Sequence, residues 1–296
     1  MSPSESQWLA QQFEENRTRL RAVAYRMLGS IAEADDAVQE SWLKLSRSDA
    51  GNIDNLGAWL TTVVGRVCLN TLRARHSRRE EPLDVYLPDP IIGRDDAGHP
   101  EQQALLADSV GLALFVVLET LSPDERLAFV LHDMFAMSFD EIAPIVGRTP
   151  TAARQLASRA RRRVKGSPVP DTNLAQREVV EAFLAATRSG DLAALLAILD
   201  PDVVRHADHV VEAPGRLRVV RGAHAVAEGV MEFASLLAAH ARRAVVNGAP
   251  GLVVLDDTGL LRTVIGFTVT RGRIAELDVF VDPARLGRLD VSALTR

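Results

Sequence analysis

The chain has 296 residues, of which 47% are hydrophobic and 25% charged, a composition typical of folded protein with room for two or three domains. Its net charge of −5 excludes a protein that binds DNA through overall charge, so any contact with nucleic acid must come from local basic patches. The single cysteine, Cys68, excludes an internal disulfide and a cysteine-rich zinc site, and it fits a reducing cytoplasm.

The periodicity is helical from Trp8 to about Arg79, and residues 1–79 are predicted to form one all-α domain. In segment 31–45, an apolar stripe contains Ala34, Ala37, Val38, Trp42 and Leu45. The opposite face is mainly acidic and contains Glu33, Asp36, Gln39, Glu40 and Lys44. An acidic face cannot approach DNA, so it fits a protein partner with a basic surface; a merely solvated face is an equal alternative.

The helix predicted over about 56–76 has the opposite character. Its inward stripe contains Leu60, Val63, Val64 and Val67. Another side combines an aromatic ring, amides and arginines, namely Asn55, Trp59, Thr62, Arg66 and Arg73. This combination is suited to hold unstacked bases of single-stranded DNA. The alternative is that Trp59 belongs to the core and the arginines are only solvated.

Two proline-bearing stretches divide the rest of the chain. Residues 80–103 are a linker by composition, although the apolar segment 85–92 predicts that part of it docks on a folded surface. Residues 104–166 are predicted to form a second all-α domain, and residues 167–173 a second linker. In this domain Ser122 with Glu125 and Ser138 with Glu141 have the spacing of capping boxes. Pro144 predicts a short or kinked helix.

Residues 138–165 are predicted to form a helix-turn-helix. Gly147 provides the turn, Thr149 caps the second helix, and Pro150 is its first residue. The second helix has an apolar stripe of Ala153, Leu156, Ala157, Ala160 and Val164. Its other side carries arginines and Lys165 with no acidic residue between them, so DNA binding is favoured over a solvated face.

Residues 174–296 are predicted to form a separate α+β domain. Helices are expected over about 174–188 and 191–199, and a hairpin is expected from 260–270 with 273–281. The candidate catalytic groups of this domain are His206, Asp208, His209, Glu276 and Asp278. The pKa of a carboxylate among apolar strand residues can be shifted so that it acts as a base. The alternation along residues 274–280 equally allows Glu276 and Asp278 to lie on a solvent-exposed face.

The chain as a whole is therefore predicted to be multidomain, with two helical domains followed by an α+β domain. No signal pattern is present, and the longest apolar stretch, around residues 112–118, is too short to cross a bilayer. We expect a cytoplasmic protein with no membrane partner, no metal and no other cofactor.

Two stretches of the chain resemble bacterial sigma factors of the extracytoplasmic-function (ECF) group. Residues 34–45, ADDAVQESWLKL, and 55–75, NLGAWLTTVVGRVCLNTLRAR, are similar to sigma region 2. Residues 121–164, LSPDERLAFVLHDMFAMSFDEIAPIVGRTPTAARQLASRARRRV, are similar to region 4. The resemblance implies that the protein binds core RNA polymerase and directs it to promoter DNA, and that it is not an enzyme.

The resemblance also implies which residues make these contacts. Core polymerase would bind the acidic helix at Asp35, Asp36, Gln39, Glu40 and Trp42. The single-stranded downstream element would bind Asn52, Asn55, Trp59, Thr62, Arg66 and Arg73. The duplex upstream element would bind Arg148, Thr149, Thr151, Arg154, Gln155, Ser158, Arg159 and Arg162.

The last part of the chain resembles SnoaL-like domains of the NTF2-like cone fold. The resemblance rests on two segments, GDLAALLAILDPDVV at 190–204 and ELDVFVDPARL at 276–286. One ECF subgroup carries such a domain, which acts in cis on the sigma core. Its linker and tail motifs are matched loosely here, which implies regulatory roles for Tyr86, Leu87, Pro88, Asp89, Pro90, Asp282, Pro283 and Leu286. A glycine-rich motif of the subgroup is not reproduced at 208–215.

Two other functions fit parts of the chain. One is an ordinary DNA-binding transcription regulator with the C-terminal cone as sensor of a small ligand. Such a regulator needs only one DNA-binding module, whereas two basic helices are predicted here. The other is a SnoaL-like isomerase or cyclase that uses the polar residues of the C-terminal domain.

Overall fold

The structure is a computed structural model, and it describes residues 3–48, 53, 55–78, 87–93, 112–165, 170–208 and 218–289. The chain divides into two compact units. The first combines Met1–Leu83 with Val117–Gly166, and the second combines Asp84–Val116 with Ser167–Arg296. Within the described ranges, no helix is both long enough and apolar enough to span a membrane.

The first unit is helical. Its N-terminal part consists of α1 (Pro3–Leu28), α2 (Ile31–Leu45) and α3 (Leu56–Arg78). The helix α4 (Leu112–Glu119) crosses the boundary at which the chain passes from the second unit, ending at Val116, to the first unit, resuming at Val117. It precedes α5 (Pro123–Phe129), which continues as one π-helical turn, Val130–Met134. The helices α6 (Phe139–Val146) and α7 (Pro150–Lys165) follow.

Local sequence signals set the ends of these helices as predicted. Ser122 with Glu125 and Ser138 with Glu141 form complete capping boxes, in which the hydroxyl accepts from the N3 backbone and the carboxylate accepts from the cap. Gly147 ends α6 in the left-handed conformation at φ 69°, which favours glycine. The predicted short helix around Pro144 is confirmed, because α6 has only eight residues.

The N-terminal and C-terminal helices of the first unit share buried contacts. A Cβ built on Gly65 of α3 would lie 3.5 Å from Cδ1 of Leu131 and 3.6 Å from Cδ1 of Leu127, so the helices approach closely there. Arg126 of α5 is only 2% exposed, and its Nε and Nη2 donate to the carbonyl of Arg26 at 3.3 and 3.2 Å. Its Nη1 donates to the carboxylate of Glu119.

The second unit contains a seven-stranded sheet in the order β1-β4-β5-β6-β7-β2-β3. The strands are β1 (Ile92–Gly93), β2 (Leu199–Ala207), β3 (Arg218–Arg221), β4 (Ala241–Val246), β5 (Ala249–Leu255), β6 (Leu261–Thr270) and β7 (Arg273–Phe280). All neighbours pair antiparallel except β2 and β7. The predicted hairpin of β6 and β7 is confirmed, with Arg271 and Gly272 at positive φ in its turn.

Helices cover one face of this sheet. They are α8 (Asn173–Ser189), α9 (Leu192–Ile198), α10 (Ala223–Met231) and α11 (Ala234–His240). Their apolar residues form a core with the sheet that includes Phe183, Leu195, Val226 and Phe267. A second core lies on the opposite face. It contains Phe280 from β7, Leu87 and Ile92 from the linker, and Leu286 from the short helix α12 (Pro283–Leu286). The predicted α+β domain after the helical regions is confirmed.

Candidate nucleic-acid interfaces and linker contact

The acidic face of α2 is exposed as predicted. Asp35, Asp36, Gln39 and Glu40 all reach solvent, and the opposite side of the helix is buried at Ala34, Ala37, Val38 and Leu45. Arg21 of α1 binds Asp35 through two bonds of 2.6 and 3.0 Å, and Lys44 binds Glu40 at 2.8 Å. Trp42 is partly buried, with its ring 5.1 Å from the ring of Phe13.

The predicted single-strand face of α3 is partly occupied by other protein groups. Arg73 donates from Nε and Nη2 to Oδ1 of Asp124 at 3.1 and 2.7 Å, and Arg66 donates from Nη2 to the carbonyl of Pro144 at 3.5 Å. Both acceptors belong to the α5–α6 part of the same unit. The sequence did not indicate these contacts, because their partners lie 51 and 78 residues away.

The other residues predicted for this face are arranged along α3. Asn55 accepts from the amide of Ala58 at 3.0 Å and so begins the helix, while Trp59 and Thr62 are partly buried. Asn52 lies outside the described residues.

The outer face of α7 presents the predicted upstream-element residues together. Six side chains along this face are exposed, namely Thr151, Arg154, Gln155, Ser158, Arg159 and Arg162. The alanines at 153, 157 and 160 are buried on the other side, so the helix packs by one face only. Arg148 and Thr149 lie exposed in the turn, and Thr149 Oγ1 accepts from the amide of Ala152 at 3.2 Å.

The arginines near the end of α7 have different roles. Arg161 donates from Nε to Asp133 at 2.6 Å, and Arg163 donates from Nη1 to Glu125 at 3.1 Å and to the carbonyl of Thr120 at 3.2 Å. These two arginines therefore hold α7 against α5 and its π-helical turn, whereas the exposed Arg162 between them forms no ion pair within the described ranges. The basic run in the sequence does not distinguish the two kinds, because the acidic partners come from other helices.

Linker residues contact the C-terminal domain through Arg285 of α12. Its guanidinium donates to Asp89 Oδ1 at 3.2 and 2.9 Å, to the carbonyl of Leu87 at 2.7 Å and to Asp208 Oδ2 at 3.1 Å. It also lies 5.3 Å from the centre of the Phe280 ring. Arg285 lies in the predicted tail segment, two residues after Pro283, but the sequence did not predict a role for it. The available signal was a positive charge in a tail segment expected to act together with a linker that contains Asp89.

The linker also adds a short strand to the sheet. Ile92 and Gly93 pair with Val246 and Val245 of β4. Just before this strand, Ile91 donates its amide to the Asn247 side chain at 2.6 Å, and its carbonyl accepts from the Asn247 amide at 2.8 Å. The predicted docking of the linker on a folded surface therefore appears within the second unit.

The remaining predicted linker and tail residues surround these contacts. Pro88 and Pro90 are buried beside Asp89, and Leu286 is buried in the second core. Asp282 caps α12 by accepting from the amides of Ala284 and Arg285 at 2.8 and 3.2 Å. Tyr86 lies outside the described residues.

Asp208 is the buried acidic partner of this contact. Burial raises its pKa, an effect that the amides of Val281 and Asp282 and the charge of Arg285 oppose. The two amides donate to Asp208 Oδ1 at 2.7 and 3.1 Å. Asp208, a candidate catalytic acid in the sequence, therefore has a structural environment of backbone donors and one arginine.

The polar residues of β2 and β7 form a separate cluster. His206 Nδ1 lies 3.0 Å from Oδ1 of the fully buried Asp278. Burial disfavours the charged imidazole, but the hydrogen bond and charge of Asp278 outweigh it, so the pKa of His206 is raised. Burial, together with the charge of Asp278, raises the pKa of Glu276 to about 7.

This cluster lies on the sheet face that also carries Phe280, not on the face covered by the helices. Asp278 and Phe280 are two residues apart on β7 and so point to the same side, whereas Leu277 belongs to the helix-covered core. His209 lies outside the described residues. In the described ranges, no group of three or more His, Cys, Asp or Glu side chains is arranged to hold a metal ion.

Comparison with known proteins identifies the family. Residues 12–78 match the family described as Sigma-70 region 2, and residues 112–164 match Sigma-70, region 4. The ECF RNA polymerase sigma factor SigJ of Mycobacterium tuberculosis is 39% identical over 92% of this chain and 91% of its own length. The chain belongs to the ECF RNA polymerase sigma factors. It is similar to the probable ECF sigma factor SigI of the same species, at 34% identity over 93% of both chains.

A solved structure agrees with this assignment. The crystal structure of the Mycobacterium tuberculosis sigma factor SigJ has a TM-score of 0.77 to this ECF sigma factor at 35% identity, covering 95% of this chain and 99% of that one. The predicted sigma-factor function in promoter recognition and transcription initiation is thereby confirmed, and neither the one-component regulator nor the SnoaL-like enzyme is favoured. The cytoplasmic location and a small ligand in the C-terminal domain stay predictions.

Proposed function

We propose that this ECF sigma factor binds core polymerase through the acidic face of α2, captures the opened downstream strand with α3, and reads the duplex upstream element with α7. We further propose that the C-terminal domain controls these activities in cis by holding the linker between the two sigma regions. The single observation that carries the DNA part is the outer face of α7, where six predicted contact residues are exposed opposite buried alanines.

The composition of the α7 face supports duplex reading. Arginine forks can bind guanine edges or phosphates, and Gln155 and Ser158 can bond to base edges. Gly147 and the Thr149 cap fix the start of the helix, and its N-terminal half is the part that enters a major groove in helix-turn-helix proteins. Each lost bidentate base contact is expected to cost about 1 to 3 kcal/mol of discrimination.

The neighbouring arginines of α7 provide a matched test. Arg162→Ala and Arg163→Ala remove the same charge from exposed positions, but Arg163 binds Glu125 and Thr120, whereas Arg162 has no such partner in the described ranges. In transcription with core polymerase, Arg154→Ala and Arg162→Ala should lower output from the cognate promoter, and Arg163→Ala should mainly lower thermal stability. Unchanged output from both outward variants would refute upstream reading by α7.

The acidic face of α2 supports polymerase docking. Its charges lie on one exposed side, and a charged surface of this kind attracts a partner of opposite sign. Asp36→Lys and Glu40→Lys should weaken binding to core polymerase in a pull-down or titration. Glu14→Lys, an equally exposed acidic position on α1, serves as the control. Equal binding by all three variants would contradict the assignment of this face.

Single-strand capture by α3 requires that Arg73 and Arg66 exchange their present partners for DNA. Arg73 is 47% exposed, so its pair with Asp124 is a surface ion pair worth at most about 1 kcal/mol. A phosphate offers the same bidentate recognition as a carboxylate. The Asp124 contact is therefore weak enough for a DNA strand to replace it.

The linker contact supports cis control. Asp89, Leu87 and Ile92 belong to the segment that joins the two sigma regions, and they are held by Arg285, Phe280 and β4 of the C-terminal domain. Arg285→Ala should change promoter output with core polymerase. Arg288→Ala, which removes an exposed arginine of the same segment, should leave it unchanged. Identical output from the two variants would contradict control through the linker.

A further inference from the structure

Three side chains from three segments of region 4 form a stack beside the DNA-facing helix. The rings of His132 and Phe139 are parallel within 27°, with centroids 3.9 Å apart. The guanidinium carbon of Arg154 lies 5.3 Å from the centroid of the Phe139 ring. An arginine at this distance from an aromatic face is attracted by the ring quadrupole. The Phe139 ring therefore contacts both the imidazole and the guanidinium.

The backbone between α5 and α6 fixes the two rings. The π-helical turn ends at Met134, and Ala136 then adopts φ 56°, which reverses the chain. Met137 donates its amide to the carbonyl of Leu131 at 2.9 Å, and its own carbonyl lies 2.9 Å from His132 Nδ1. The capping box of Ser138 then makes Phe139 the first residue of α6. The Phe139 ring is thus a rigid platform before any DNA is present.

Arg154 differs from the arginines that hold α7 in place. Arg161 and Arg163 end on Asp133 and Glu125, whereas Arg154 is exposed and forms no ion pair with a residue in the described ranges. A free arginine side chain has many rotamers, and ordering it on DNA costs conformational entropy. Contact with the Phe139 ring restricts the plane of the guanidinium in advance, and this lowers the cost of forming a directed contact.

We propose that Phe139, whose ring stacks with His132, is a positioning residue that orients Arg154 for the upstream element. The inference rests on the proposed reading of duplex DNA by α7. Phe139 itself belongs to the first helix of the motif, and its role is to present the planar fork of Arg154 at a fixed angle. The expected consequence is base discrimination rather than general attraction to DNA. A phosphate can bind a guanidinium in many orientations, whereas bidentate binding to a guanine edge requires one particular orientation.

The test is a double-mutant cycle on the full-length protein with core polymerase. Phe139→Leu removes the aromatic face but keeps an apolar side chain, Phe139→Tyr keeps the face, and Arg154→Ala removes its partner. Initiation is measured on the cognate promoter and on a set in which each upstream-element base is changed. Phe139→Leu should lower use of the cognate element about two- to fivefold, the range of an exposed cation–π contact.

The pattern of the cycle distinguishes the explanations. Phe139→Leu should weaken preference at the same base positions as Arg154→Ala, it should add nothing in the Arg154→Ala background, and Phe139→Tyr should behave like the wild type. Arg154→Lys, at an exposed position, keeps the charge without the planar fork and should reproduce the loss of preference even where Phe139→Leu proves unstable on heating.

Two failures are separable. If Arg154→Ala leaves the base preference unchanged, the proposed reading of the upstream element by Arg154 is wrong, and the positioning role falls with it. If Arg154→Ala alters the preference but Phe139→Leu does not, or if Phe139→Leu lowers all promoters equally in both backgrounds, the upstream reading stands and the positioning role is overturned.

Discussion

Removal of Arg285 should release the linker from the C-terminal domain. Arg285→Ala deletes a partner of two carboxylates, Asp89 and Asp208, whose side chains are 15% and 3% exposed, and it deletes a donor to the Leu87 carbonyl. Loss of one member of a buried ion pair costs about 3 to 5 kcal/mol. We expect about 3 kcal/mol here, because backbone amides continue to bind Asp208.

The loss is not expected to detach the linker completely. Leu87 and Ile92 remain buried, and each large aliphatic side chain contributes about 1.5 to 3 kcal/mol on burial. A loss of about 3 kcal/mol corresponds to a roughly hundredfold larger population in which the linker is detached. Promoter output in transcription with core polymerase should change accordingly.

Hydrogen exchange measures this population directly. The amides of Ile91 and Asn247 are bonded across the linker contact, so both should exchange roughly a hundredfold faster in Arg285→Ala than in the wild type. Amides between β6 and β7 should keep their protection, and Arg288→Ala should behave like the wild type. Unchanged exchange at Ile91 and Asn247, or an equal acceleration throughout the sheet, would refute the reasoning.

Three further outcomes are expected. Asp124→Asn should strengthen binding of a single-stranded downstream oligonucleotide up to about fivefold in fluorescence anisotropy, because a surface pair worth at most about 1 kcal/mol no longer holds Arg73; weaker binding would contradict it. Burial raises the Glu276 pKa from 4.5 to about 7, so the folded state holds the proton more tightly and stability should fall as pH rises through this window. Glu276→Gln should flatten that profile in denaturant titrations at several pH values, and an unchanged slope would speak against it. Gly147→Ala should lower the melting stability of region 4 by about 1 to 2 kcal/mol, because φ is 69° there; an unchanged melting temperature would exclude strain at the turn.

Local chemistry made the helical regions predictable. A hydroxyl followed three residues later by a glutamate satisfies the free amides of a helix start, so Ser122 and Ser138 marked α5 and α6 without any tertiary information. Periodicity then separated the buried alanines of α7 from its outer face. The polar face of α2 and the β6–β7 hairpin follow from the same kind of short-range pattern.

Contacts between distant segments could not be predicted in this way. The periodicity of α7 gives no sign that Arg163 binds Glu125, and that of α3 gives none that Arg73 binds Asp124. The alternation on β7 left two faces open for Asp278, and the choice depended on the register of neighbouring strands. In each case the deciding partner lies dozens of residues away, where the fold and not the local sequence sets the distance.

The linker strand also has a consequence for self-association. The two residues of β1 occupy part of the outer border of β4, whose amides and carbonyls would otherwise point away from the sheet without partners. An uncovered border of this kind is a template on which another polypeptide can add a strand. Release of the linker therefore exposes an unpaired sheet edge along with the freed segment, and molecules whose linker is released are expected to be more prone to pair with one another than those whose linker is held.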